Sequence, residues 1–168
     1  FDEVLAAMVA FQKSNTFPWL LGQGWDQNDW DVKEFPSREK LDSLFPSIPV
    51  FLRRIDGHAA LCNAAALALA NITAQTRIPG GEVLLKNGVP TGLLIDNAAD
   101  LVQEKIPPFP DSTLQRVMLR GEAMCLAAGL TTVSDAGLGK DSILLIDKLQ
   151  KEGLMKLRMV AMLSDAEA

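Results

Sequence analysis

The last third of the sequence places strand-like and helical patterns close together, and this most constrains the fold. Residues 130–134 are short and β-branched, Asp141 can cap a helix that stops at Gly153, and residues 156–163 form another apolar run. A strand, a helix and a strand within about 30 residues indicate a βαβ unit. Such a unit predicts two parallel strands joined by a right-handed crossover.

The upstream segments add further helices and strands. Apolar spacing over residues 2–14 predicts a helix with Asp2 as its cap, and residues 17–25 are an apolar run of strand length. Residues 48–55 predict a second strand, and the small, apolar residues 59–70 predict a buried helix directly after it. A capping-box spacing at residues 112–115 predicts a helix that ends at Gly129.

The middle of the chain carries a hairpin signal. Asn87-Gly88 separates two strand-like runs and suits a type I′ turn, and Pro90 should lie at an edge or at a strand start. We interpret residues 80–95 as a hairpin inserted into a repeating α/β layer. The predicted class is therefore α/β, a partial (β/α)8 TIM barrel with an inserted β-hairpin, although an open doubly wound sheet also fits.

Composition excludes several classes of protein. Of the 168 residues, 48% are hydrophobic and 22% are charged, which excludes a disordered chain. The longest apolar run falls short of the roughly 20 residues that cross a bilayer. A net charge of −5 without a Lys/Arg cluster argues against a nucleic-acid partner. Cys62 and Cys125 are predicted to be buried free thiols.

The chain has one histidine, His58, so a mechanism that needs two imidazoles cannot be complete within it. It begins at Phe1 without a methionine and ends just after a strand-like run. We therefore expect an internal piece of a longer protein, with all 168 residues in one fragment of a catalytic domain. No signal peptide is visible, so the compartment is unassigned, with the cytoplasm as the default expectation.

Polar side chains follow each predicted strand. In parallel α/β folds, ligands gather at the carboxyl ends of the strands, so these positions are the first candidates for a site. Taken singly, an aspartate at such a position is more often a turn former or a helix cap. The positions are Trp25 and Asp26, Asp56 and His58, Asp96 and Asn97, and Ser134 and Asp135.

Asp56-Gly57-His58 is the most informative of these groups. An acid and an imidazole at a helix N-terminus could orient a substrate, relay a proton or contribute to a metal shell. The alternative is a histidine satisfied by neighbouring backbone. The Gly-rich pieces at residues 22–24 and 137–139 lack the full dinucleotide fingerprint, which excludes a nucleotide site of that type.

Several segments, in order along residues 17–137, resemble motifs of one protein family. They are GQGWDQ at residues 22–27, PVFLRRIDGHAALCN at 49–63, GGE at 80–82 with GVPTGLLIDNA at 88–98, and GLTTVSDAG at 129–137. Together they resemble the metal-dependent amidohydrolases of the amidohydrolase family 3 type.

The resemblance implies a (β/α)8 hydrolase that acts on carbon–nitrogen bonds other than peptide bonds, with an amide-type small molecule as substrate. It also implies a divalent metal, with zinc favoured, that activates water and polarises the carbonyl. The sequence departs from the family pattern because the upstream His-x-His pair is absent and Ser134 stands where relatives often have His. Most metal ligands would therefore come from the remainder of the protein's own chain.

The resemblance and the strand ends together assign candidate roles. His58 is predicted to be a neutral imidazole at a helix start that donates to an oxyanion, and Asp56 to hold its loop or its tautomer. Asp96 is predicted to be a metal ligand, against a role as cap of the helix that begins near Asn97. The candidate substrate contacts are Trp25, Arg54 and Asn97.

A different class of function competes with the hydrolase. A non-catalytic α/β module that binds small molecules or other proteins would share the fold without the chemistry. With a single imidazole, the chain by itself is expected to be catalytically silent. Apolar surface at unpaired strand edges makes a homo-oligomer a further expectation.

Overall fold

The computed structural model describes residues 1–14 and 17–164. The chain divides into two compact units, Phe1–Pro107 and Pro108–Ala168. Each unit mixes helices and strands, in agreement with the predicted α/β class. In the described residues no helix is long and apolar enough to cross a membrane.

The first unit is built around a five-stranded sheet. Its elements in chain order are α1 (Asp2–Ser14), β1 (Leu20–Trp25), a short 3₁₀ helix (Gln27–Asp29), α2 (Glu39–Leu44), β2 (Val50–Arg54), β3 (Ala59–Cys62), α3 (Ala64–Leu69), β4 (Gly81–Lys86), β5 (Val89–Asp96) and α4 (Asn97–Gln103). The helix over residues 2–14 and the hairpin at Asn87-Gly88 are confirmed.

The strand order is β1-β2-β3-β5-β4. β1 is parallel to β2, whereas β3 is antiparallel to both β2 and β5, and β4 is antiparallel to β5. β1, β2 and β5 therefore run in the same direction. Their carboxyl ends lie along one edge of the sheet, and the turn between β2 and β3 lies at that edge too.

The helix predicted over residues 59–70 is wrong in its first half. Ala59–Cys62 is a strand that pairs with β2 on one side and β5 on the other. Its four side chains are all buried, and a strand buried on both faces shows no alternation that would distinguish it from a buried helix. Gly57, with φ of 80°, closes the turn before it, where its N–H donates to the Arg54 carbonyl at 3.0 Å.

Asn63 is the residue at which the chain turns from strand to helix, and it is fully buried. Its Oδ1 accepts from the backbone N–H groups of Val50 at 2.9 Å and Ala66 at 3.1 Å. Its Nδ2 donates to the carbonyls of Phe45 and Ile48, both at 2.8 Å. One side chain thus caps α3 and ties it to the start of β2 and to the end of α2.

The hairpin of β4 and β5 forms one end of the sheet. Asn87 and Gly88 adopt φ of 53° and 77°, as a type I′ turn requires. Pro90 stands near the start of β5, outside the residues that pair with β3, so its missing N–H costs no hydrogen bond to that strand. That the hairpin is an insertion into a barrel stays a prediction.

Apolar side chains cover both faces of the sheet. Successive residues of β2 point to opposite faces, so that Phe51 belongs to one cluster and Leu52 to the other. The first cluster includes side chains of α3 and α4, and the second includes side chains of α1 and α2. Helices on both faces hold the sheet, and with it the strand ends, in a fixed arrangement.

The second unit contains α5 (Asp111–Ala127), β6 (Thr132–Leu138), α6 (Lys140–Lys151) and β7 (Arg158–Leu163). β6 and β7 are parallel, which confirms the predicted βαβ unit. The predicted helix starts are wrong: Pro110 and Gly139 occupy the cap positions, so Ser112 and Asp141 lie inside the first turns. The carbonyl of Pro110 accepts from the N–H groups of residues 113 and 114, which places the first turn earlier.

The core of the second unit is small. Its buried apolar side chains are Ile146, Leu149, Met155 and Leu157, with partly buried neighbours. The carboxylate of Glu122 on α5 is buried and accepts from the N–H groups of Lys156 and, at 2.6 Å, Leu157. These bonds fix the chain just before β7 begins.

Candidate functional site

The polar edge of the first unit is the set of side chains at the carboxyl ends of β1, β2 and β5. Two backbone hydrogen bonds join these ends beyond the regular strand pairing. The Ile55 N–H donates to the Trp25 carbonyl at 3.0 Å, and the Asp96 N–H donates to the His58 carbonyl at 2.9 Å. All six predicted site residues are located along this edge: Trp25, Arg54, Asp56, His58, Asp96 and Asn97.

His58 and Asp96 are in direct contact. The distance between His58 Nδ1 and Asp96 Oδ1 is 2.8 Å, and the two side chains are 72% and 45% exposed. His58 precedes a strand and not a helix, so the predicted placement at a helix N-terminus is wrong. The helix-dipole argument for a neutral imidazole therefore does not apply. The charged group in contact with the ring is the Asp96 carboxylate.

Asp96 has an unusual backbone conformation. Its φ of 46° and ψ of −126° lie in a region that residues other than glycine rarely adopt. It occupies the cap position of α4 but makes no side-chain capping bond. The capping alternative for Asp96 is thus not what the structure shows, because the carboxylate is directed to His58.

Arg54 and Asp56 form a two-point ion pair across the turn. Arg54 Nε lies 2.8 Å from Asp56 Oδ1, and Nη2 lies 2.5 Å from Oδ2. The hydrogen bond from Arg54 lowers the pKa of Asp56 to about 2. The same bond raises the pKa of Arg54, whose guanidinium also lies 5.6 Å from the ring centre of Phe35.

Asp56 binds the backbone of the loop, whereas the imidazole of His58 contacts Asp96. Its Oδ1 accepts from the backbone N–H of His58 at 3.1 Å. Of the two predicted roles for Asp56, loop support is the one that the contacts show. The turn is therefore held by two successive contacts: Arg54 binds the Asp56 carboxylate, and that carboxylate binds the backbone N–H of His58.

Trp25 and Asn97 both have structural partners. The indole N–H of Trp25 donates to the Leu52 carbonyl at 2.8 Å, and the ring is buried against Trp30. Asn97 Nδ2 donates to the Pro79 carbonyl at 2.8 Å, which fixes the loop ahead of β4. Their predicted contact with substrate stays a prediction.

The sequence matches the model of the amidohydrolase family over residues 1–168. The chain belongs to the amidohydrolase family. It is 40% identical over 135 residues to YtcJ of Bacillus subtilis (strain 168), which carries an amidohydrolase assignment, and this match covers 77% of the chain. It is 34% identical over 143 residues to an N-substituted formamide deformylase of Arthrobacter pascens, and this match covers 82% of the chain.

These matches cover a limited part of each relative. The chain spans 25% of the length of YtcJ and 26% of the length of the deformylase. A crystal structure of an uncharacterised metal-dependent hydrolase from Pyrococcus horikoshii superimposes with a TM-score of 0.62 at 22% identity. That match covers 90% of this chain and 29% of the other, and it supports a shared fold.

The described residues of this amidohydrolase chain do not form a metal site by themselves. Among residues 1–14 and 17–164, no group of three or more His, Cys, Asp or Glu side chains is placed to hold a metal ion. His58 and Asp96 are a pair, which is one ligand short of the usual minimum of three protein ligands. The prediction that Asp96 binds metal stays a prediction, and it would need ligands from elsewhere.

Asp135 lies in the second unit. Its Oδ1 accepts from the backbone N–H of Gly137 at 3.0 Å, which is a turn-forming contact within two residues. No ligand role is assigned to it or to Ser134.

Sequence reasoning missed the pairing of His58 with Asp96. His58 and Asp96 were both expected at strand ends of one site, but the predicted helix over residues 59–70 offered no strand pairing between them, whereas β3 brings them side by side through its pairing with β5. A signal was present, because Asp56-Gly57 directly after a strand is typical of a hairpin turn. A hairpin at that point would have made the residues after His58 a strand, as the structure shows.

Proposed function

We propose that this chain is part of a metal-dependent hydrolase that cleaves carbon–nitrogen bonds other than peptide bonds. The main support is the contact between His58 and Asp96 at the edge where β1, β2 and β5 end, in a chain of the amidohydrolase family. The deformylase relative is named for N-substituted formamides, which supports small amide-type molecules as the substrate class.

In this proposal the polar edge contacts the reacting amide. His58 is the residue that meets it, because its imidazole is 72% exposed and is held by Asp96. Asp56 acts through the loop, since it binds the His58 backbone and the Arg54 guanidinium. Trp25, Arg54 and Asn97 are the proposed substrate contacts along the same edge.

The proposal includes a divalent metal, and zinc is the ion that we propose. The described residues alone do not fit such an ion, so most of its ligands would lie in the remainder of the protein. Asp96 would be the one ligand from this chain, through the oxygen that does not bind His58. The proposed partners are therefore the rest of the same chain and a small amide, with a homo-oligomer as a further proposal.

The test is hydrolysis by the longer protein that contains this chain. We expect release of amine from N-substituted formamides or other small amides, stopped by a chelator and restored by zinc. His58→Asn should lower turnover by about a hundredfold, as loss of a positioned imidazole at the reacting group does. Asp29→Asn, at an exposed position of the 3₁₀ helix, is the matched control and should keep full turnover.

Two results would overturn the proposal. One is a metal-free protein that hydrolyses none of these amides, and the other is wild-type turnover in His58→Asn. The first result would favour a non-catalytic α/β module that binds small molecules or proteins. Tight binding of an amide without turnover would identify it.

A further inference from the structure

In the hydrogen bond between His58 and Asp96, the imidazole is the donor and the carboxylate is the acceptor. An ionised carboxylate can only accept hydrogen bonds, so the imidazole nitrogen that faces it must carry the proton. That nitrogen is Nδ1, at 2.8 Å from Asp96 Oδ1. In a neutral imidazole the other nitrogen, Nε2, then has a free lone pair and no hydrogen to donate.

We propose that Asp96 is a positioning residue that holds His58 in the Nδ1–H tautomer, so that Nε2 meets the substrate as a hydrogen-bond acceptor. The inference rests on the proposed function, and it specifies that His58 accepts a hydrogen bond from the substrate and does not donate one. It replaces the expectation that a neutral His58 donates to an oxyanion, because the ring's one hydrogen is engaged by Asp96. His58 would instead accept from an N–H of the amide or from a water molecule beside it.

The backbone of Asp96 is the first support. The described residues contain three non-glycine residues with positive φ, namely Asn71, Asn87 and Asp96. Asparagine tolerates the left-handed region well, but Asp96 combines its φ of 46° with a ψ of −126°, where glycine is strongly preferred. A strained residue that persists without a capping role indicates that its side chain is needed.

The anchoring of both partners is the second support. The Asp96 N–H donates to the His58 carbonyl at 2.9 Å, and Ala59 pairs with Ile95 in the next register position. On the other side, Asp56 accepts from the His58 N–H. The imidazole and the carboxylate are thus attached to neighbouring strands at fixed positions, so their contact follows from the sheet.

The competing explanation is an exposed ion pair without a role, which such pairs often are. A spectroscopic measurement separates the two. Long-range proton–nitrogen NMR spectra of protein labelled with ¹⁵N at histidine report which ring nitrogen carries hydrogen. We would record them on the full-length protein at about pH 8.5, where histidine is ordinarily neutral, with His58→Gln to identify the signals.

The expected wild-type spectrum shows mainly Nδ1–H at His58. Asp96→Gly removes the carboxylate and suits the backbone, so the variant should fold and its ratio of Nδ1–H to Nε2–H should fall by about fivefold. Asn87→Gly is the matched control, because it relieves a positive φ in the β4–β5 turn and leaves the His58 contact intact. Its ratio should equal that of the wild type.

Two spectroscopic results would overturn the inference: a wild-type ring that is mainly Nε2–H, or an unchanged ratio in Asp96→Gly. Wild-type turnover in Asp96→Gly despite a changed tautomer would also overturn it, since the tautomer would then have no use. A protein that hydrolyses no amide but shows the expected tautomer shift would contradict the proposed function and leave the positioning of His58 intact.

Discussion

The two compact units place their apolar side chains differently. In the first unit, helices cover both faces of a five-stranded sheet, and the central strand β3 is buried throughout. In the second, a two-stranded sheet leaves Val160, Met162 and Leu163 of β7 exposed, and the core is limited to a few residues of α6 and the segment after it.

The difference shows that a clear local pattern does not ensure burial. The βαβ pattern of the second unit is the plainest in the sequence, yet two strands offer few neighbours to cover their side chains. The elements of the first unit are harder to predict from the sequence, but its three inner strands, β2, β3 and β5, have neighbours on both sides. The polar edge with His58 and Asp96 belongs to the better-buried unit, where the strand positions are held by packing.

The largest expected contrast is in thiol reactivity. Cys62 is fully buried in β3, and burial raises the pKa of its thiol, whereas Cys125 on α5 is half-buried. We expect Cys125 to react with a thiol reagent about a thousandfold faster than Cys62, because Cys62 must wait for the first unit to open. Labelling kinetics followed by peptide mass spectrometry measure both rates.

The control for this measurement is Cys125→Ser, which should keep only the slow reaction. In urea the two thiols should become equally reactive. Equal rates in the native protein would mean that the first unit opens as readily as the second and would remove the contrast.

The next effect is the loss of the buried asparagine. Asn63→Ala leaves four backbone partners of the side chain unpaired in the interior, which should lower the free energy of unfolding of the first unit by about 3 kcal/mol. Urea unfolding followed by Cys62 labelling measures it. Asn28→Ala, at an exposed position, should change it by less than about 0.5 kcal/mol.

A smaller effect is expected at the matching buried polar group of the second unit. Glu122→Ala removes the acceptor of two backbone N–H groups, which should destabilise that unit by about 2 kcal/mol. Hydrogen exchange at the amides of Lys156 and Leu157 should accelerate, while Glu122→Gln, which keeps an acceptor oxygen, should recover most of the protection. Unchanged exchange in Glu122→Ala would show that the bonds contribute nothing to β7.

The smallest effect is the pH dependence of the turn before His58. The pKa of Asp56 is lowered to about 2 by Arg54, below the value of about 4 for an unfolded aspartate. Its contribution is therefore present above about pH 4 and is lost as the pH falls toward 2. Because the pair is partly exposed, the loss should be at most about 1 kcal/mol.

A carbon NMR titration of the Asp56 carboxyl should show a midpoint near 2. Arg54→Gln should move that midpoint upward, since it removes the charge and the two-point bond. A midpoint that stays in place in Arg54→Gln would assign the low pKa to another cause. In the Asp56→Asn variant, the free energy of unfolding of the first unit should no longer fall by this amount between about pH 4 and about pH 2.

Local chemistry in the sequence was enough to predict several elements. The apolar spacing of residues 2–14 determined α1, Asn87-Gly88 determined the β4–β5 turn, and Gly129 and Gly153 marked helix ends where φ is positive. Each signal acts within a few residues and depends on backbone preference or helical period. Five motif segments together were enough to predict the family, whose model matches residues 1–168.

Tertiary structure alone decided the rest. Ala59–Cys62 is a strand because two neighbours pair with it, and a segment buried on both faces carries no period. The six-residue helix α2 is too short for its apolar residues to show a helical period. His58 and Asp96, 38 positions apart, meet only because β3 and β5 pair in one register. The sequence by itself determined which polar residues follow the strands, and the sheet decided which of them touch, because hydrogen-bonded register acts between segments that are distant along the chain.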